Sequence, residues 1–222
     1  ETLTVTADLR RASTQDISAS VEVLNQRELQ DRGASHFGDA LLQIPNLNFA
    51  SSSSRPRHLQ IRGMGERDEY TGAPNPSVGL MLDGIDFSGI GMLGSLFDVQ
   101  QLEVLRVPQS TRYGASALAG LVNIKTSEPT AYKESLIETS LGQDGLHETG
   151  LMTSGAFSNK ARSPQYRIAI FQHNSKGFRD NATLKQDDTN KKDALTARAK
   201  FRFWAGEDTQ LDLTLLHANL IN

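Results

Sequence analysis

The sequence predicts a mixed α+β domain over residues 11–130, followed by about five antiparallel strands over residues 131–222. Three observations support this division. Apolar residues recur at helical spacing between residues 37 and 44, among short hydrophobic runs that glycine-rich stretches separate. After Pro129 this helical spacing disappears. Strict alternation of apolar and charged residues replaces it, most clearly in Ala197–Ala205, and a period of two is typical of strands.

Composition narrows the classes of protein to which the chain can belong. Its 222 residues suffice to bury one large core or two small ones, and its formal charge of −3 argues against a nucleic-acid-binding surface. The absence of cysteine excludes disulfides, thiolate metal sites and cysteine nucleophiles. No apolar run reaches the roughly 18 residues of a membrane helix, and we expect that any signal peptide has been removed. A soluble α+β domain and a piece of an outer-membrane β-barrel both remain open.

The first half opens with a strand and two short helices. Ile17–Leu24 is expected to be a strand. Asn25, with Glu28 three residues later, predicts a capping box at the start of a helix that Gly33 ends. Ser35 is the expected N-cap of the second helix. Its apolar residues at helical spacing are Phe37, Ala40, Leu41 and Ile44, followed by Pro45.

Short strands complete the first half. They are expected at His58–Arg62, Val78–Leu82, Gln101–Val107 and Leu121–Thr126. Asp83-Gly84 lies between two apolar runs, and this dipeptide is a strong signal for a two-residue hairpin turn. These elements together predict a small α+β domain that is rich in glycine loops.

The second half predicts consecutive antiparallel strands, each about long enough to cross a bilayer when tilted. They are expected at Glu134–Leu141, His147–Phe157, Gln165–Ile170, Ala197–Ala205 and Gln210–Leu215. Several connections are short, whereas Lys176–Asp193 is long and charged. Short turns together with longer loops are typical of an outer-membrane barrel. A soluble β-sandwich would give the same alternation, so that alternative stays open at this point.

Three motifs, in order along the chain, identify a family. Residues 95–114 read S-L-F-D-V-Q-Q-L-E-V-L-R-V-P-Q-S-T-R-Y-G, and N-I-K-T follows at residues 123–126. Residues 59–63 read L-Q-I-R-G, and residues 78–85 read V-G-L-M-L-D-G-I. This combination closely resembles the plug domain of TonB-dependent receptors, whose signature is roughly D-x-x-x-x-E-V-L-R-G-P-Q-G-T-x-Y-G. The three motifs together span about seventy residues, which makes the resemblance specific.

Two positions depart from the family pattern. Val107 and Ser110 stand where the family usually has glycine. If the backbone at Val107 needed a positive φ, its β-branched side chain would be strained, and the loop would differ locally from that of the family.

The resemblance implies a barrel of about 22 strands that an N-terminal plug occludes. Residues 1–10 would then be a TonB-binding segment, residues 11–130 the plug, and residues 131–222 the first strands of an incomplete barrel. Because five strands would form only about a quarter of such a barrel, we expect the sequence to be a piece of a longer protein.

The first residues resemble a TonB box, the segment through which the family binds TonB. An extended, β-branched segment without proline can add as a strand to the edge of a partner's sheet. The residues expected to contact TonB are Thr2, Leu3, Thr4, Val5 and Thr6. An ordinary first strand would read the same way in isolation, and the plug motifs that follow favour the TonB box.

The resemblance also implies residues that hold the plug and bind the ligand. Arg62 and Arg106 would pair with barrel carboxylates as a latch, with Glu103 as an alternative local partner, because an unpaired buried charge is unfavourable. Plug loops of the family lie near the extracellular apex. There Arg67, Tyr70 and Asn75 offer charge, stacking and hydrogen bonding to an anionic chelate. Solvent-facing charges and a merely solvated loop are the alternatives.

The expected function is TonB-dependent uptake of a scarce nutrient across the outer membrane of a Gram-negative bacterium, and the expected nutrient is a ferric siderophore or another iron complex. The plug and TonB box would face the periplasm, the barrel would contact lipid, and no nucleic acid is expected as a partner. The histidines are scattered, no nucleophile or phosphate-binding motif occurs, and we expect neither an enzyme nor a bound cofactor or metal. The alternative is a soluble plug-type binding module without transport activity.

Overall fold

In the computed structural model of the protein, the chain forms two compact units, Glu1–Ser127 and Glu128–Asn222. The domain boundary predicted after residue 130 lies three residues beyond the boundary between these two units. The structure describes residues 4–5, 12–13, 20–34, 36–50, 58–67, 76–88, 95–108, 116–183, 185–189, 191–206 and 208–221. Within these ranges, no helix is both long and apolar enough to span a membrane.

The first unit contains two short helices and nine short strands among its described residues. The helices are α1 (Gln26–Asp31) and α2 (Phe37–Leu42). The strands are β1 (Thr4–Val5), β2 (Ala12–Ser13), β3 (Val21–Asn25), β4 (Leu47–Ala50), β5 (His58–Ile61), β6 (Val78–Leu82), β7 (Ile85–Asp86), β8 (Val99–Leu105) and β9 (Gly120–Thr126). Strands β1 and β2 form one separate antiparallel pair, and β4 and β5 form another.

A five-stranded mixed sheet forms the centre of the first unit. Its strand order is β3-β8-β9-β6-β7, in which β6 and β9 run parallel and the other neighbours are antiparallel. All residues of β6 and nearly all of β9 are buried, as expected for strands covered on both faces. This mixed sheet with two short helices confirms the predicted α+β class.

The first helix begins as predicted. The Asn25 side chain accepts a hydrogen bond from the Glu28 N–H at 2.9 Å, and the Glu28 carboxylate accepts one from the Asn25 N–H at 2.8 Å. This reciprocal pair is the predicted capping box, and it satisfies two backbone donors at the helix start. Gly33 follows the helix with a φ of 65°, a conformation that glycine adopts without strain.

The start of the second helix was predicted one residue too early. His36, rather than Ser35, is the N-cap: its Nδ1 accepts from the Gly38 N–H at 3.2 Å, and Asp39 accepts from the His36 N–H at 3.2 Å. Ser35 itself lies outside the described residues. The predicted apolar face is confirmed, because Phe37, Ala40, Leu41 and Ile44 are all buried.

The hairpin predicted at Asp83-Gly84 is also confirmed. Both residues have positive φ, 48° and 82°, as a two-residue hairpin turn of type I′ requires. The neighbouring prediction for Gln101–Val107 was displaced, since β8 begins and ends two residues earlier. Val107 is not among the described residues with positive φ, so the strain considered for it does not arise, and Ser110 lies outside the described residues.

The second unit contains seven strands among its described residues. They are β10 (Glu134–Leu141), β11 (His147–Ala156), β12 (Gln165–Ser175), β13 (Arg179–Asn181), β14 (Gln186–Thr189), β15 (Lys192–Ala205) and β16 (Thr209–Ile221). Five of them form an antiparallel sheet in the order β10-β11-β12-β15-β16. The five predicted strands are therefore confirmed, although the last three are longer than predicted.

The remaining two strands correct the prediction of a plain loop at Lys176–Asp193. Arg179–Asn181 and Gln186–Thr189 pair as a small antiparallel hairpin within that segment. Its charged residues gave no alternating apolar pattern, which is why the hairpin was missed.

Apolar and polar side chains alternate along the strands of the five-stranded sheet, so its two faces differ in character. One face carries cations that are largely buried, namely Arg167, Arg198 and Lys200. The opposite face exposes large apolar side chains, among them Ile137, Leu151, Ile170, Leu213 and Leu215. A soluble sheet places its apolar face inward, so this sheet shows the reverse arrangement.

Candidate functional site

The predicted TonB-binding segment is described at two of its five residues. Thr4 and Val5 form a short strand that pairs antiparallel with Ala12–Ser13. Thr2, Leu3 and Thr6 lie outside the described residues. The extended conformation of Thr4–Val5 is the one that strand addition needs, and contact with TonB stays a prediction.

Two of the family motifs meet at the end of the central sheet. The Asp83 carboxylate accepts hydrogen bonds from the Thr126 N–H at 2.9 Å and from its hydroxyl at 2.7 Å. The Asp83 N–H in turn donates to the Ile124 carbonyl at 3.0 Å. The aspartate of the hairpin motif therefore fastens the hairpin to the last residues of β9.

A second motif contact lies inside the sheet, where Glu103 and Asn123 face each other on β8 and β9. Glu103 is fully buried, and its carboxylate accepts from the Asn123 amide at 3.0 Å and from the Gln101 amide. A buried carboxylate requires such donors, because desolvation is otherwise unfavourable. Glu103 therefore contributes to the polar interior of the plug sheet.

The ion pair that the structure describes for Arg106 lies within the first unit. Its guanidinium pairs with the Glu22 carboxylate and donates to the Pro45 carbonyl at 3.1 Å. These contacts join the end of β8 to β3 and to the end of the second helical segment. Sequence reasoning missed Glu22, which lies 84 residues away in the chain. The predicted latch between Arg106 and barrel carboxylates stays a prediction.

Arg62 occupies a different environment. It is exposed, it has a φ of 53°, and its N–H donates to the Asn46 carbonyl at 2.9 Å. Gly65, three residues later, packs so closely that a Cβ would overlap the Leu59 carbonyl oxygen. The I-R-G motif thus forms a tight turn after β5, and a latch role for Arg62 also stays a prediction.

The segment predicted to bind ligand is closed at its base. The Glu66 carboxylate accepts from the Ser77 N–H at 2.8 and 2.9 Å and from the Ser77 hydroxyl at 2.5 Å. Arg67 is exposed, whereas Tyr70 and Asn75 lie outside the described residues. Glu66, which sequence reasoning missed, therefore joins the two ends of the segment that carries all three predicted ligand-binding residues.

We expect Glu66→Ala to open the base of this segment, because the Ser77 donors lose a charged acceptor. Tryptic cleavage after Arg67 should then become several-fold faster. Ser77→Ala, which removes only the hydroxyl, should have a smaller effect. Cleavage after the exposed Arg162 in the second unit provides the internal control. Equal cleavage rates after Arg67 in Glu66→Ala and the unaltered chain would contradict the expectation.

Charged pairs occupy the buried face of the second unit. Arg167 pairs with Glu134 at 2.5 Å, and Arg202 pairs with Glu128 at 2.6 Å. Arg202 also binds Asp212 in a bidentate manner, at 2.8 and 3.1 Å. Pairing of this kind offsets the desolvation of the cations. The alternating sequence predicted the cationic face of this sheet but not its carboxylate partners.

A smaller polar pair lies further along the same face. His173 Nδ1 and the Glu148 carboxylate are 2.8 Å apart on directly opposed residues of β12 and β11. Among the described residues, no group of three or more His, Asp and Glu side chains is arranged to hold a metal ion. Within the first unit, the described contacts of the motif residues are hydrogen bonds and an ion pair that join strands and loops.

Comparison with known proteins gives the family. The family model of the TonB-dependent receptor plug domain matches residues 13–121. The pesticin receptor of Yersinia pestis is 31% identical over 158 residues, which cover 69% of this chain and 23% of that protein. The vitamin B12 transporter BtuB of Vibrio vulnificus is 24% identical over 161 residues, which cover 72% of this chain and 26% of that protein.

A solved structure shows the same relationship. The ferric yersiniabactin uptake receptor FyuA from Yersinia pestis aligns with a TM-score of 0.75 and 25% identity, covering 90% of this chain and 31% of that chain. The chain spans about a quarter of the length of the curated relatives it matches. These relatives are receptors and a transporter rather than enzymes. The chain belongs to the family of TonB-dependent outer-membrane receptors, of which it contains the plug domain and the first strands of the barrel.

Proposed function

We propose that the whole protein takes up a ferric siderophore or another iron complex across the outer membrane, with the plug gating the barrel. One observation carries the proposal: two of the three family motifs meet in one largely buried sheet, and a five-stranded antiparallel sheet follows it in the chain. In this proposal TonB adds a strand to the segment Thr2–Thr6 on the periplasmic side and supplies the mechanical work.

The names of two relatives point to different ligands, and only one of the two ligands is an iron complex. FyuA is named as an uptake receptor for ferric yersiniabactin, and BtuB as a transporter of vitamin B12. Arg67 on the plug segment, together with the predicted contributions of Tyr70 and Asn75, suits an anionic chelate. Cobalamin is therefore the second ligand to be tested.

The apolar face of the second unit supports contact with lipid. Ile137 is 76% exposed, Leu211 is 61% exposed and Leu215 is 55% exposed. A soluble plug-type module would leave these side chains in water, which is unfavourable in proportion to their apolar area. Outer-membrane lipid would cover them. This reasoning favours the transporter over the soluble module.

The proposal is tested by disrupting the full-length gene and measuring uptake of labelled ferric siderophore and labelled cobalamin. We expect loss of iron uptake, unchanged cobalamin uptake, and recovery when the intact gene is returned. Loss of cobalamin uptake alone would replace the ligand while keeping the transporter. A full-length product found only in the soluble fraction, with both uptakes unchanged, would support the soluble module instead.

A further inference from the structure

The second unit begins with a short segment, residues 128–130, that precedes its first strand β10. The Glu128 carboxylate lies 3.6 Å from the Lys200 ammonium and 2.6 Å from the Arg202 guanidinium. The Glu128 backbone carbonyl accepts a hydrogen bond from the Arg167 guanidinium at 3.4 Å. The first residue of this unit therefore contacts three cations of its own sheet.

The same segment reaches a further strand through Thr130. The Thr130 N–H donates to the Ser154 hydroxyl at 3.0 Å, and the hydroxyl oxygens of the two residues are 2.9 Å apart. Ser154, Arg167 and Lys200 lie directly opposite one another on β11, β12 and β15. We call these three residues the polar row. The segment contacts every member of the row, so it lies across three neighbouring strands.

Burial makes the acceptors of this segment important to the polar row. The side chains of Arg167 and Lys200 are only 8% and 9% exposed, and Ser154 is fully buried. A buried cation is unfavourable unless acceptors surround it. Glu128 supplies one acceptor to each of the two cations, through its carbonyl and its carboxylate. The polar row is therefore a docking site for residues 128–130 within the same chain.

We propose that the polar row, together with Arg202, anchors residues 128–130 to the barrel strands and keeps them attached while the plug is rearranged during transport. This inference rests on the proposed function, in which TonB does mechanical work on the plug. It adds the position in the chain at which that displacement stops.

The lengths of the strand pairs favour an anchor that holds. In the first unit, β6 and β7 pair over two residues. In the second unit, β11 and β12 pair over ten residues, and β12 and β15 over eleven. Elements with few backbone hydrogen bonds open at a lower free energy than long ladders. A pull on the first unit should therefore separate its short pairs before it detaches a segment that charge-assisted contacts hold on three long strands.

A disulfide tests whether the anchor stays closed. The hydroxyl oxygens of Thr130 and Ser154 are 2.9 Å apart, so Thr130→Cys with Ser154→Cys places two sulfurs within bonding reach. Residues 1–222 contain no other cysteine. In the full-length receptor, the oxidised variant should take up labelled ferric siderophore or labelled cobalamin at the same rate as its reduced form. Each single-cysteine variant, treated with the same oxidant, is the control.

Removing the Glu128 charge tests whether the anchor is needed. Glu128→Gln keeps the size of the side chain but loses the charge-assisted contacts with Lys200 and Arg202. Amide exchange in a peptide that covers residues 128–133 should become several-fold faster. Uptake should fall several-fold at equal amounts of folded receptor. Adding the Thr130–Ser154 disulfide to Glu128→Gln should restore both slow exchange and uptake, because the cross-link replaces the lost contacts.

Asp212→Asn is the matched control, because it removes the other carboxylate on Arg202 without changing a contact of residues 128–130. Its uptake should stay that of the unaltered receptor. Loss of uptake on oxidation of the double-cysteine variant would overturn the anchor, since the segment would then have to detach. Unchanged uptake in Glu128→Gln, no recovery on cross-linking, or an equal loss in Asp212→Asn would overturn it as well.

Two further outcomes concern other parts of the account. Failure of the cysteines to cross-link would contradict the placement of Thr130 beside Ser154, and with it the anchor. Uptake of neither labelled compound by the unaltered receptor would instead overturn the proposed function. The exchange measurement needs no ligand, so unchanged exchange in Glu128→Gln would still contradict the anchor contacts in that case.

Discussion

Replacing Glu103 with alanine should lower the protection of the β8 and β9 amides against hydrogen exchange by about 100-fold, or roughly 2.7 kcal/mol in the free energy of opening. The carboxylate is fully buried, and its removal leaves the Asn123 amide without this acceptor and creates a cavity between the strands. The same change also removes the acceptor for Gln101. One substitution thus removes an acceptor from two side chains.

Exchange measured by mass spectrometry on peptides that cover Val99–Leu105 and Gly120–Thr126 checks this result. Glu103→Gln is the matched control, because it keeps the side-chain volume and one acceptor for Asn123. Its protection should fall by a smaller factor. Equal protection in the alanine variant and the unaltered protein would show that the Glu103 contacts do not stabilise the plug sheet.

Local signals predicted local structure well. The capping box of Asn25 and the Asp83-Gly84 turn each depend on residues within a few positions, and both are confirmed. The cap at His36 was missed because histidine is an uncommon N-cap, whereas Ser35 beside it is of a preferred type. Short-range preferences therefore located the helix but not its first residue.

Contacts between distant residues could not be predicted in the same way. Asp83 and Thr126 are 43 residues apart, and Arg106 and Glu22 are 84 residues apart. Nothing in a single sequence specifies which buried carboxylate meets which donor until the strand order is known. The pairing of β6 with β9 in parallel brings the first of these contacts together.

The second unit shows what alternation does and does not reveal. The period of two located the five strands and separated a cationic face from an apolar one. It did not show that Arg198 and Lys200 would be buried while Leu213 and Leu215 stayed exposed. Which face is buried depends on what surrounds the sheet. Membership of a family of outer-membrane receptors explains the arrangement, because the outward face of such a barrel is apolar.

Replacing Val5 with proline should abolish binding of TonB to the full-length receptor, with a loss of at least about 100-fold in affinity. Proline removes a backbone donor from within the predicted TonB-binding segment and cannot take part in a strand ladder at that position. Val5→Ile is the matched control, since it keeps the donor and the β-branched side chain. Uptake of the transported nutrient should fall with TonB binding in the proline variant alone.

The most direct test of the account is the affinity of the purified TonB periplasmic domain for the full-length receptor carrying Val5→Pro or Val5→Ile, at equal amounts of folded receptor. The account predicts binding close to that of the unaltered receptor for the isoleucine variant and no measurable binding for the proline variant. Equal binding by the two variants would contradict the assignment of Thr2–Thr6 as the segment through which TonB acts on the plug.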